Sequence, residues 1–172
     1  MQAIFSRRSY RKFLKEEPSR EDVLQILKAG MAAPSAKNNQ DWVFIFIRDQ
    51  EDIERFISVQ PYAFALRTAP VNILVCADKN KNQDPPHDWG ILDCAAAMEN
   101  MLLMATELGY GSLWLGVWPD PKRIDCLREI CALPEHIIPV GIVSFGRVEK
   151  GKEPIDRYLE GTVFQGKYGA TE

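Results

Sequence analysis

Hydrophobic positions along this chain fall into short continuous runs separated by amphipathic stretches. Residues 42–47 (Trp-Val-Phe-Ile-Phe-Ile) are an unbroken apolar run rich in β-branched and aromatic side chains, the pattern of a buried strand. Residues 71–77, opened by Pro70, predict a second strand, and residues 139–145 a third. Residues 112–117 form another short apolar segment. Between these runs the period changes. Ser19 with Asp22 three residues later, preceded by Pro18, is a capping pattern. It predicts a helix to about Met31 with Val23, Leu24, Ile26 and Leu27 on its apolar face, ended by the region of Pro34. Residues 49–58 predict another helix. Asp120-Pro121 supplies an N-cap and a first-position proline for a third, which ends before Pro134. Residues 78–88 are polar, contain Pro85-Pro86 and predict a loop.

Two segments do not fit an ordinary amphipathic pattern. Residues 88–108 predict a long helix closed by Gly109, apolar on nearly every side and interrupted only by Asp93, Glu99, Asn100 and Glu107. One small domain has difficulty covering such a helix, so it is expected at the centre of the subunit and also at a dimer interface. Residues 150–172 are polar and irregular, yet Tyr158, Leu159, Val163, Phe164 and Tyr168 are spread through them. That is too much apolar surface for a solvated tail, and the segment is expected to wrap a partner subunit.

Composition narrows the class. The chain has 172 residues, enough for one domain with a full core and short for two. Formal net charge is −3, which points away from nucleic acid and makes the arginine-rich start a local basic patch suited to a small anion. Cys76, Cys94, Cys126 and Cys131 form no C-x-x-C pair; three lie in apolar runs or helical stretches, where cysteine acts as a small hydrophobe, and the set reads as a reducing compartment without structural disulfides, which suits the cytoplasm. His87 and His136 are not spaced with cysteines as a zinc site requires. No secretory leader pattern and no membrane-length apolar run is expected.

Chemistry concentrates in two motifs about 25 residues apart. Arg7-Arg8-Ser9-Tyr10-Arg11 packs three guanidinium groups and a hydroxyl into five residues, a natural phosphate clamp; a solvated, frayed N-terminus is the alternative. Residues 33–42 (Ala-Pro-Ser-Ala-Lys-Asn-Asn-Gln-Asp-Trp) gather small and amide side chains. Asn and Gln both donate and accept, which suits the edge of a flat heterocycle; a helix end followed by a polar turn is the plain alternative. Together the motifs suggest a phosphorylated heteroaromatic cofactor. Gly109-x-Gly111 follows a helix rather than a strand and its third glycine falls at the wrong spacing, so a dinucleotide-binding fold is rejected. No serine sits in a nucleophile elbow.

The spacing of these motifs, with residues 93–116 and 146–157, closely resembles the FMN-dependent nitroreductase family. The resemblance covers most of the chain. It implies an α+β fold in three layers, a central mixed β-sheet flanked by helices, in a single domain spanning residues 1–172 whose C-terminal arm, residues 150–172, is exchanged across a homodimer. It implies that Arg7 and Ser9 face the FMN phosphate, Arg8 the ribityl–phosphate region and Arg11 the pyrimidine end, where a fixed guanidinium offsets the negative charge of reduction. Asn38 would meet the N3/O4 edge. Pro34 and Ser35 would line the ring or ribityl of a cofactor held mainly by the other subunit, and Ala36 and Gln40 would belong to the same cofactor-binding segment. Leu115 and Gly116 would bring backbone over N5, the glycine permitting close approach. A late basic residue would reach the phosphate, with Arg157 the better match and Arg147 its competitor. Asp41 stands where the family usually has proline, and Leu115 where some members carry glutamate.

The function implied is NADH- or NADPH-driven, ping-pong reduction of a small electron acceptor such as a nitroaromatic, quinone, enone or free flavin, with the cofactor rather than a catalytic side chain carrying the chemistry. The absence of a glycine-rich pyrophosphate loop favours FMN over FAD. No metal, nucleic acid or membrane is expected to take part. Alternatives are a specialised enzyme of the same fold, such as an enone or flavin reductase or a dehalogenase, a non-catalytic flavin-binding protein, or an interaction module whose arginines bind acidic partners.

Overall fold

The computed structural model describes residues 2–83 and 88–170; Pro85, Pro86 and His87 of the expected 78–88 loop lie outside them. Four strands, β1 (Trp42–Phe46), β2 (Val71–Asp78), β3 (Gly111–Gly116) and β4 (Ile137–Gly146), form one sheet in the order β1-β2-β4-β3. Among the described residues every strand pair is antiparallel. The mixed sheet of the sequence reading is corrected accordingly. Its parallel component reduces, among the described residues, to a bridge between Ser9 and Ser112 at the β3 edge. The apolar segment at 112–117 is strand β3.

The continuous apolar runs are explained by burial on both faces of the sheet. Along β2, Ile73, Val75 and Ala77 face one cluster with Val143 and Phe145 of β4, while Leu74 and Cys76 face the other with Ile142. The register brings Ile73 opposite Val143 and Leu74 opposite Ile142, so both strands alternate in phase. Helices α2 (Arg20–Met31) and α4 (Gly90–Glu107) cover the first face; α3 (Gln50–Val59), α5 (Pro121–Ile130) and a 3-10 segment, Pro61–Arg67, cover the second. This is the three-layer α+β arrangement.

Local chemistry sets the helix ends. Ser19 Oγ accepts from the Asp22 amide at 3.0 Å, and Asp49 and Asp120 cap α3 and α5 in the same way. Helix α4 closes in a Schellman turn: Gly109 N donates to Thr106 O (3.0 Å) and Tyr110 N to Ala105 O (2.8 Å), with Gly109 at φ +78°. Tyr110 Oη then donates to Asp22 at 2.6 Å and ties the end of α4 to the start of α2. That bond holds the Asp22 carboxyl below its ordinary value.

The long helix is more covered than its sequence suggests. Cys94, Ala97, Met98, Met101, Leu102 and Ala105 are buried, and Gly30 of α2 lets Met101 approach so closely that a Cβ would lie 2.9 Å from it. The outer face is met by α1 (Gln2–Ser6), whose neighbour Arg7 pairs with Glu99 at 3.4 Å. Leu92 remains 61% exposed, and Ile4 and Phe5 of α1 are exposed as well. Tyr158, Leu159, Val163 and Tyr168 in the tail are exposed too, although the Phe164 and Tyr168 rings lie 4.9 Å apart, tilted by 58°. Among the described residues no helix is long and apolar enough to cross a membrane.

Candidate functional site

The arginine motif is held along the sheet edge. The Ser9–Ser112 bridge and a 2.9 Å bond from Tyr10 N to Ser112 O fix its middle. Gly111 lies beneath the Tyr10 ring, where a Cβ would come within 2.9 Å of Tyr10 and 2.4 Å of Val148. Tyr10 Oη accepts from Lys152 N at 2.8 Å, and Lys152 Nζ donates to Ser9 O at 2.7 Å. The start of the tail is thereby stitched to the motif. Arg8 donates to the Glu153 carbonyl.

This stitching has a consequence the sequence left open. Arg7, Arg8 and Arg157 line one cavity of about 260 Å³, together with Ile4, Phe5 and Asp156. Arg147 is engaged elsewhere: its guanidinium lies 4.4 Å from the Tyr110 ring centroid and donates to Gly109 O. The structure therefore brings Arg157, and not Arg147, to the other two arginines. Arg11 is exposed and lines a separate cavity of about 430 Å³ with Tyr10, Phe13, Phe64 and Lys150.

The second motif is an unusually bent loop. Lys37 (φ 49°), Asn38 (φ 56°) and Gln40 (φ 49°) all adopt left-handed backbone, which asparagine tolerates and the other two adopt only under constraint. The constraint is visible. Ser35 Oγ accepts from Gln40 N (3.0 Å), Gln40 Nε2 donates to Asn38 Oδ1 (3.0 Å), and Lys81 Nζ donates to Gln40 O (3.3 Å). From helix α4, both carboxylate oxygens of Asp93 accept from the Ala36 amide at 3.1 and 3.0 Å. Pro34, Asn38 and Gln40 are exposed, and Ser35 and Ala36 half-buried.

Below this loop sit polar groups that sequence reasoning did not count among the site residues. Asn39 and Asp41 are buried, and among the described residues Asn39 Oδ1 and Nδ2 and Asp41 Oδ1 have no hydrogen-bond partner. Burial pushes the Asp41 carboxyl above its ordinary value, reinforced by Asp93 and Asp88; burial also raises Asp93, against the opposing Ala36 amide. The one available signal was position. Asp41 directly precedes a buried strand, with little room to reach water, and Asn39 lies two residues before Asp41.

At the end of β3, Leu115 turns its side chain into the core, so only its backbone is available. Gly116 is exposed, and a Cβ there would meet nothing within 4 Å. The chain's own packing does not demand this glycine. Reactive thiols are not offered: burial pushes Cys76 up to about 12 and Cys131 to about 11, and raises Cys94 and Cys126. Among the described residues no cluster of His, Cys, Asp and Glu could hold a metal ion.

Comparison with known proteins gives a consistent result. The Nitroreductase family matches residues 4–60 and 57–147. An Archaeoglobus fulgidus protein named as a candidate NADH dehydrogenase/NAD(P)H nitroreductase is 42% identical over 153 residues, covering 89% of this chain and 87% of its own length. The structure of an FMN-dependent nitroreductase from Clostridium difficile R20291 superposes with a TM-score of 0.85 at 30% identity, covering 98% of this chain and 100% of that one. A candidate nitroreductase from Desulfovibrio desulfuricans, solved in complex with FMN, gives 0.81 at 30% identity, covering 97% and 96%.

Proposed function

The chain belongs to the nitroreductase family, and we propose that it works as a homodimer that reduces nitroaromatics, quinones or similar acceptors by a ping-pong mechanism. It is an NAD(P)H-dependent oxidoreductase with FMN as its cofactor. The observation that carries the assignment of residues is the convergence of Arg7, Arg8 and Arg157 on one small cavity. Three guanidiniums, against Asp156 in the cavity wall and Glu99 paired with Arg7, leave net positive charge that suits a phosphate dianion, which a guanidinium fork can bind through paired N–H donors.

FMN, when bound, supplies the two-electron chemistry between NAD(P)H and the acceptor. The chain's own residues bind and orient. Arg11 lies four positions beyond Arg7, a reach of roughly 13 Å if the segment is extended. In this reading Ser9 joins Arg7 and Arg8 at the phosphate, and Arg11 places positive charge at the opposite, ring end. Asn38 offers a donor and acceptor edge; Pro34, Ser35, Ala36 and Gln40 line the ring or ribityl of the cofactor held by the other subunit. Asp93 holds the loop by fixing the Ala36 amide. Leu115 contributes backbone, and Gly116 leaves the space over the ring open. Arg147 acts on the fold at the α4–β3 turn.

Exposed Ile4, Phe5, Leu92, Tyr158, Leu159 and Val163 favour a homodimer in which residues 150–172 embrace the partner. Residues 1–172 then act as one domain with that arm. We place the protein in the cytoplasm, where pyridine nucleotides are reduced and thiols stay free.

The test is an absorbance spectrum of the purified protein followed by anaerobic titration with NADH and NADPH. A flavin spectrum, FMN as the extracted cofactor, bleaching by a pyridine nucleotide and recovery with a quinone are expected. A colourless protein that takes up no FMN, or predominantly FAD in the extract, contradicts the reading.

A further inference from the structure

We propose that the cavity at the Arg11 end recognises an aromatic second substrate bearing an anionic group. The inference rests on the oxidoreductase reading and adds the class of substrate. Four cations, Arg11, Lys12, Lys150 and Lys152, line this cavity against the single carboxylate of Glu149, in a chain whose net charge is −3. The remaining walls are apolar: buried Phe13 lies beside the partly exposed Leu14 and Phe64. Its volume of about 430 Å³ falls in the range of small-molecule sites.

Each component has a distinct consequence. Apolar walls bury a flat hydrocarbon body and lower the local dielectric, which concentrates the field of the cations on whatever anion enters. Lys152 is pre-positioned, with its ammonium bonded to Ser9 O at 2.7 Å and 4.9 Å from the Tyr10 ring centroid. Lys12 and Lys150 are exposed at the rim. A neutral aromatic would use only the walls. A cation would be repelled. The occupant that uses both features has an aromatic body and a negative substituent. Two sources carry that chemistry: an acceptor with its own carboxylate, sulfonate or phosphate, and NADPH through its additional phosphate.

Equilibrium dialysis of 1-naphthalenesulfonate and of neutral 1-naphthol against the FMN-loaded protein tests the pocket without requiring turnover. The native protein should prefer the sulfonate. The double reversal Lys12→Glu/Lys150→Glu should weaken sulfonate binding about tenfold at low salt, with less effect at high salt, and leave 1-naphthol nearly unchanged. Turnover then separates the sources. A fall in kcat/KM confined to 1,2-naphthoquinone-4-sulfonate, relative to 1,2-naphthoquinone, assigns the anion to the acceptor. A fall confined to NADPH, relative to NADH, assigns it to the donor. Equal sulfonate binding by native and reversed proteins overturns the proposal, as does loss of FMN from the reversed protein, which would make Lys12 and Lys150 part of the cofactor site. A native protein that binds the sulfonate selectively but does not oxidise NAD(P)H counts against the oxidoreductase reading alone.

Discussion

The two ends of the five-residue arginine motif differ in what surrounds them. At the Arg7–Arg8 end three guanidiniums line a small cavity with Asp156. At the Arg11 end cations share a larger cavity with Phe13, Leu14 and Phe64. The first environment suits a compact dianion and little else. The second suits a ring system with charge at its edge. Tail residues complete both ends, Arg157 at one and Lys150 and Lys152 at the other, so one segment couples them.

Removing the tail from Lys150 should break both ends together and give the largest effect. Loss of Arg157, of the Lys152 stitches and of the proposed partner contacts should lower FMN affinity by about 100-fold or more and yield monomers. Sedimentation velocity recorded at protein and flavin wavelengths checks this. A truncated protein that stays dimeric and yellow would detach the tail from either role.

Arg11→Ala should separate the ends. It is expected to lower the flavin midpoint potential and slow reduction by NAD(P)H by roughly 1.5–3 kcal/mol in the reduced state, with a smaller change in FMN affinity. An unchanged potential would return Arg11 to solvent or to the phosphate.

Much of the frame within which these ends sit was legible before the coordinates. Runs buried on both faces, such as 71–77, announce themselves because burial demands apolar side chains at every position. Capped helices such as Arg20–Met31 do so through Ser19 and Asp22. The 3-10 segment Pro61–Arg67 and the five-residue α1 were not legible, because so few residues carry little periodicity. The choice between Arg147 and Arg157 depended on where the tail folds back, which Lys152 decides through contacts more than 140 residues distant in sequence. Asp93 looked like an interruption of an apolar helix. Its role became visible only when the Ala36 amide was found against it.

Asp93→Asn sharpens the comparison from the loop side. Losing the charge on the acceptor should loosen residues 34–40 and weaken FMN and riboflavin alike, by about tenfold, because the loop addresses the ring and not the phosphate. A loss confined to FMN would place the loop at the other end.

Asp41→Asn should have the smallest effect, and on stability rather than binding. Burial raises the folded-state value of this carboxyl. The stability it contributes is full below its unfolded value of 3.8 and is lost as pH rises through the raised folded value. The variant does not titrate there, so its melting temperature should exceed that of the native protein at neutral pH, with the difference shrinking toward acid. Thermal melts across that range decide it, and parallel curves would contradict the sign.

The division of labour along the motif is tested most directly by comparing FMN with riboflavin, which lacks the phosphate, on native protein and on Arg7→Ala/Arg157→Ala. The account predicts that the native protein binds FMN far more tightly than riboflavin. In the variant that preference should collapse by about 100-fold while riboflavin affinity stays nearly constant. An equal loss of both ligands, or an undiminished preference for FMN, would contradict it.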